Sequence, residues 1–406
     1  VFLSWLDDQA VLAAVGYASS ILFFTTSIGI GLAIAATSLV SRALGAGRRL
    51  RACRLSVNAH LATFVAATLA AVAIYVAIPW LLSVLGATGH THHLATRYLK
   101  ILMPSLPALT VAMTSAAVLR SAGDARRAMN VTLFGAVVNT ILDPIFIFAM
   151  DLGIEGAAWA TVCSRIVFMA VGLYGVIRIH RLMARPKLAA IKADVPAFAG
   201  IAIPAILTNV ATPTANAYVT AAIAAHGDDA VAGWAIIGRV LPVAFGAIYA
   251  LSSSIGPIIG QNYGAREDAR MREAFRLALG VNVGLTLVAW VVLALTSGYV
   301  VRLFGATGDA ADLILLFNVW LAPLFAFMGA LFVANAVFNT LDFPHYATVL
   351  NWGRATIGTI PLVHLGSWLA GAEGVLTAHM AGGILFGCLA VWVCLRLFDR
   401  LARERT

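Results

Sequence analysis

Residues 86–89 read Gly86-Ala87-Thr88-Gly89, and 219 positions later residues 305–308 read Gly305-Ala306-Thr307-Gly308. Working outward at the same spacing, Gly45-Ala46 falls on Gly264-Ala265, and Pro104 falls on Pro323. At a spacing of 218, Glu155-Gly156 falls on Glu373-Gly374. A four-residue identity flanked by further anchors in register marks an internal duplication. Each copy spans an even number of apolar segments, so both copies share one orientation. The axis relating them is then a pseudo-two-fold along the membrane normal.

The apolar content says why a membrane is involved. The chain has 406 residues, 61% hydrophobic and 11% charged, with a mean hydropathy of +0.92. Soluble domains carry about a quarter charged residues, and no water-soluble fold of this length hides so much apolar surface. Windows of about 20 apolar residues, enough to cross a bilayer as helix, centre on 18–39, 55–78, 99–119, 131–150 and 157–177. Others run at 198–223, 235–259, 277–300, 313–337, 347–369 and 375–395. The fold class is therefore all-α, a polytopic transmembrane bundle of two six-helix lobes. The helix at 198–223 maps upstream of Val1 in the first copy, and only its exit, Phe2-Leu3-Ser4-Trp5, has a counterpart. Twelve helices are expected, with roughly 25 residues upstream of Val1. The domains expected are an N-terminal lobe at 1–181, a basic linker at 182–194 and a C-terminal lobe at 195–406.

The net charge of +9 raises the possibility of a nucleic-acid partner, but its placement argues against one. Arg42, Arg48, Arg49, Arg51 and Arg54 share one connection, Arg120, Arg126 and Arg127 another, and Arg178, Arg181, Arg185, Lys187 and Lys192 a third. Arg266, Arg270, Arg272 and Arg276, then Arg396, Arg400, Arg403 and Arg405, complete the series. The intervening connections at 86–93, 151–156, 227–229, 305–312 and 370–374 lack Lys and Arg. Such alternation is the positive-inside pattern, which predicts cytoplasmic termini and basic loops. Cys53, Cys163, Cys388 and Cys394 form no CxxC pair and read as small core residues.

No phosphate loop, nucleophile elbow, HExxH or Rossmann fingerprint occurs, so an ATP-driven pump, a membrane hydrolase or another enzyme is not expected. Among the eighteen acids, Asp143 alone lies well inside an apolar run. A carboxylate at membrane depth costs a few kcal/mol or more and marks a functional candidate. Asn139, one helical turn earlier, shares its face, and Pro144 withholds the amide that would satisfy the Thr140 carbonyl. These oxygens could hold Na⁺, or Asp143 could take a proton. The alternative is a polar cluster that packs helices. Arg165, Arg239 and Arg354 also lie within spans, and Arg165 could pair with Asp143 or with a helix end. The second copy has no mid-span acid. Asn209, Asn216, Arg239 and Arg354 are its candidates to line a substrate cleft.

Several stretches resemble the multidrug and toxic compound extrusion (MATE) family of secondary transporters. They are 41–47 (Ser-Arg-Ala-Leu-Gly-Ala-Gly), 260–265 (Gly-Gln-Asn-Tyr-Gly-Ala), 119–124 (Leu-Arg-Ser-Ala-Gly-Asp), 139–144 (Asn-Thr-Ile-Leu-Asp-Pro) and 153–158 (Gly-Ile-Glu-Gly-Ala-Ala). The Asn-x-x-x-Asp-Pro stretch, with no acid in the second lobe, is most similar to the DinF-like branch. The resemblance implies that Asp143 and Asn139 line a cation or proton site, with Thr161 and Tyr98 nearby. Na⁺ would then sit at Asp143, Asn139 and Thr161. The family's first-helix Asp would lie upstream of Val1. It further implies a monomeric antiporter of a bacterial inner membrane, surrounded by lipid and without cofactor. Such an antiporter exports amphipathic or cationic organic compounds in exchange for Na⁺ or H⁺, by rocking of two lobes. The alternative is a lipid-linked precursor flippase of the same superfamily, which would favour a more cationic cavity than these arginines supply. A channel is disfavoured by two same-way lobes without a filter sequence.

Overall fold

The computed structural model describes residues 9–405, and the expected first-helix exit at 2–5 lies outside them. Fourteen α-helices occur, and no strand, among the described residues. They are α1 Gln9–Gly45, α2 Arg49–Val84, α3 Gly89–Leu102, α4 Leu106–Ser121, α5 Ala125–Pro144, α6 Gly153–Tyr174 and α7 Leu188–Ala224. There follow α8 Asp228–Ala244, α9 Gly246–Ala265, α10 Asp268–Leu303, α11 Gly308–Leu316, α12 Phe325–Thr340, α13 Pro344–Ala355 and α14 Ile360–Arg405. Among the described residues nine helical stretches are long and apolar enough to cross a membrane, or ten if α8 and α9, bent by 51°, form one span. The last stretch, Pro344–Glu404, has 61 residues. As straight helix it would run about 90 Å, three times the ~30 Å hydrocarbon core. It turns instead at Ala370 and Gly371, whose dihedrals are not helical, where the sequence places a loop. Each of the eleven expected windows is helical over most of its length.

The duplication is written into the backbone. α2 and α10 begin at Arg49 and Asp268, α3 and α11 at Gly89 and Gly308, and α5 and α13 at Ala125 and Pro344, each pair 219 apart. The repeated Gly-Ala-Thr-Gly makes the same turn twice. Gly86 and Gly305 have φ of 89° and 62°, and Gly89 and Gly308 have φ of 54° and 53°, conformations in which a side chain is strained. Pro104 and Pro323 each sit in a 3₁₀ turn, Met103–Ser105 and Ala322–Leu324, because neither has the amide to continue an α-helix. The repeated Glu-Gly pair also has a structural cause. A Cβ on Gly156 would lie 2.5 Å from the Phe146 carbonyl oxygen, and one on Gly374 would overlap the backbone of Gly366. At both places a helix crosses the chain before it at backbone contact, which only glycine allows.

Two compact units, Val1–Ile206 and Leu207–Thr406, divide the chain. The boundary lies inside α7 and not in the linker expected at 182–194, and residues from Leu188 onward are already helical. Side-chain pairing explains the difference. Asp194 accepts hydrogen bonds from Arg54 Nη2 at 3.0 Å and Asn58 Nδ2 at 2.7 Å. Phe198, Ile201 and Ala202 pack into one cluster with Leu32, Ala35, Ala36 and Ala59. The first half of α7 therefore belongs to the N-terminal unit. Asp194 itself, only 8% exposed, is a buried acid that hydropathy places among loop residues. Replacing Asp194 by Ala removes a charge-assisted pair from two partners. Arg54 remains 44% exposed and can rehydrate, so the expected loss is about 1–3 kcal/mol, read as a lower thermal midpoint in detergent.

In the N-terminal unit the basic connections meet at one end. Asp124, in the α4–α5 turn, pairs with Arg127 and accepts from His180 Nε2 at 2.7 Å, while Arg49 Nη2 donates to the His180 carbonyl at 2.8 Å. Burial works to raise the Asp124 pKa, but the hydrogen bonds from Arg127 and His180 and the Arg127 charge outweigh it and hold it at about 2, below the ordinary 3.8. A carboxyl that ionises more readily in the folded state contributes stability above the unfolded pKa, and loses it as pH falls through the folded value. Wild type is therefore expected to lose thermal stability between pH 3.8 and about 2 more steeply than Asp124→Asn. Parallel melting curves across that range check it.

The expected cysteine placement holds for Cys53 and Cys394, which are buried, but Cys388 is exposed.

Candidate functional site

Asp143 stands in the last turn of α5, where Pro144 ends the α-helical pattern and a π turn follows at Ile145–Ala149. Turns of that kind recur at functional positions because they release backbone groups and reorient side chains. Asp143 is about 9 Å from the end of its span at Ala149, on the side of the loop free of Lys and Arg. Asn139 Nδ2 donates to Asp143 Oδ1 at 3.1 Å, as the spacing of four residues predicts. Both side chains are half-buried. No ion pair to Asp143 is formed among the described residues, and Arg165, the rival partner, is engaged elsewhere.

Arg165 is 8% exposed and donates from Nη1 to the Ser105 hydroxyl at 2.9 Å and the Leu102 carbonyl at 3.3 Å. The 3₁₀ turn forced by Pro104 explains this acceptor. It draws the amide of Leu106 to Met103, so the Leu102 carbonyl is open to the Ser105 hydroxyl and to Arg165. The arginine therefore ties α6 to the α3–α4 break and is not bonded to the carboxylate. Tyr98 is buried and packs in one cluster with Ile147, on the turn after Asp143, and with Ala157 and Ala158 of α6. Thr161 makes no hydrogen bond to Asp143 among the described residues. Its hydroxyl donates to the Ala157 carbonyl at 2.9 Å, the ordinary rest position of a helical threonine. Ser164 and Gly135 hold α5 and α6 together. The Ser164 hydroxyl donates to the Gly135 carbonyl at 2.8 Å, and Phe168 fills the space a side chain at Gly135 would need. Sequence reading missed Ser105 and Ser164, whose roles show only when helices are paired.

In the C-terminal unit the four cleft candidates have different fates. Arg239 and Asn216 are exposed and Asn209 is half-buried. Arg354, at 1% exposure, is the largest fully buried side chain. It donates from Nη2 to the Thr212 hydroxyl at 3.2 Å, so its partner lies outside the expected four.

Two duplicated helical units with stretches long and apolar enough to cross a membrane define an integral membrane protein. The comparisons make this specific. The MatE family model matches residues 1–145 and 204–364, and the chain belongs to the MATE family of transporters. A crystal structure of a mutant of the Vibrio cholerae MATE transporter VcmN superposes with a TM-score of 0.93 at 27% identity, covering 99% of this chain and 91% of that one. A Shewanella oneidensis protein named as a FAD transporter is 29% identical over 98% of this chain and 89% of its own length. The multidrug export protein MepA of Staphylococcus aureus is 24% identical over 98% of this chain and 89% of its own. Members of the family are transporters and not enzymes, handle small organic substrates, need no cofactor and are generally ion-coupled.

Proposed function

We propose that this protein is a secondary antiporter that exports amphipathic organic compounds in exchange for H⁺ or Na⁺, by alternating exposure of its binding sites. Asp143 is the coupling residue and Asn139 its orienting partner, with Tyr98 closing the apolar side. Thr161 could enter the shell of a Na⁺ by rotating its hydroxyl away from Ala157. The observation that carries this reading is a half-buried carboxylate with one amide partner among the described residues, while Arg165 of the next helix is committed to other groups. A carboxylate so placed can exchange its guest, whereas one locked to Arg165 could not. Export follows only if ion and cargo favour different states of the protein. The protein acts as a monomer in a bacterial inner membrane, its basic loops cytoplasmic, with no nucleic-acid partner.

Sealed vesicles containing the full chain test the coupling. Cargo-dye efflux driven by an imposed pH gradient, unaffected by Na⁺, assigns the proton. The reverse assigns sodium, and efflux indifferent to both gradients removes the antiport reading. The relative named as a FAD transporter favours a second reading of the cargo, an anionic flavin in place of a cationic drug. Competition between ethidium and FAD for efflux separates the two.

A further inference from the structure

The C-terminal unit buries a positive charge without a counter-charge. Arg354 is 1% exposed, and a guanidinium stays protonated in proteins. Among the described residues Nη2 donates to the Thr212 hydroxyl, and buried Nε has no partner. No ion pair joins Arg354 to a carboxylate among the described residues. The elements around it supply none: α13 carries no Asp or Glu, nor does α7 beyond residue 206, and Glu373 on α14 is exposed. A second buried group lies within electrostatic range. His379 is 7% exposed, its ring meets Trp234 edge-on at 6.1 Å, it feels the Arg354 charge, and its Nδ1 has no partner. Burying an arginine without an anion costs several kcal/mol. The end of α13, with its carbonyls, offsets part of that but leaves Nε and Nδ1 unsatisfied.

We infer that Arg354, held by Thr212, forms a receptor for an oxyanion, a carboxylate or a phosphate, within the C-terminal unit. The guanidinium supplies charge and a planar pair of donors suited to two oxygens, and the Thr212 hydroxyl orients it. The site is separate from Asp143 and does not depend on how transport is coupled. The anion could be a group on an organic cargo or a free inorganic ion. Thermal midpoints of the full chain in detergent, with benzoate, phenyl phosphate and inorganic phosphate, test both. Benzoate and phenyl phosphate are expected to raise the midpoint by several degrees, and Arg354→Gln to weaken their affinity about tenfold or more, with Arg354→Lys keeping part of it. A rise with inorganic phosphate as large as with phenyl phosphate assigns a free ion, and a rise with the organic anions alone assigns cargo. No rise in wild type with any of the three overturns the inference, whether or not the variants fold. So does an equal rise in Arg354→Gln. The readout is binding, so loss of gradient-driven export would leave the result standing.

Discussion

Replacing Asp143 by Asn is expected to lower gradient-driven efflux of a cargo dye at least about tenfold while the protein still folds. The substitution keeps shape and can still hydrogen-bond with Asn139, now 3.1 Å from the carboxylate, so packing of α5 on α6 should survive. It removes the one property the mechanism needs, a group that gains and loses charge as its guest comes and goes. Without that difference the ion favours neither state, and an imposed gradient cannot shift their populations. Asn139→Ala should have a smaller effect, about 1 kcal/mol in the strength of the guest site, because the carboxylate remains. Vesicle efflux assays under a fixed gradient measure both. Wild-type efflux rates in the Asp143→Asn protein would take Asp143 out of the mechanism.

Replacing Gly374 by Val is expected to prevent stable folding, with a loss of about 3 kcal/mol or more. Its Cβ would overlap the carbonyl oxygen and carbon of Gly366 and come within 3.1 Å of the Ala370 Cβ. The first two are backbone atoms and cannot move aside as a side-chain tip can. The hairpin that α14 makes at Ala370–Gly371 closes along this glycine contact and along a second, Gly382 against Gly358. Gly156→Val should be as severe in the N-terminal unit, since it meets the Phe146 carbonyl at 2.5 Å. In contrast, Gly280→Ala and Gly284→Ala on α10 meet no atom within 4 Å and should be tolerated or mildly stabilising by about 0.5–1 kcal/mol. Yield of monodisperse protein and thermal midpoint separate the two groups. Normal yield and stability in Gly374→Val would show that the hairpin does not rely on this contact.

The buried charges reward comparison. Arg165 and Arg354 look alike in a hydropathy plot, since each interrupts an apolar run. The fold separates them. Arg165 finds a carbonyl released by a proline turn, while the corresponding turn at Pro323 has no arginine to receive, because position 383 is Gly383. Asp143 and Asp194 also diverge from what sequence context suggests. Among the described residues the first is bonded to one amide, that of Asn139. The second, drawn from a basic stretch, is paired with Arg54 and Asn58 on α2.

The sequence by itself determined the all-helical membrane class, the duplication, the turn chemistry of its repeated glycines and prolines, and the Asn139–Asp143 pair. Each of these is local in the chain or follows from lipid, which forces backbone groups to bond within their own helix. Only the tertiary structure decided what Arg165 and Asp194 bind, why Glu-Gly recurs, where α7 is divided and how deeply Arg354 is buried. Those depend on which helices cross and at what distance, and a one-dimensional record of apolar and polar residues carries no information about crossings.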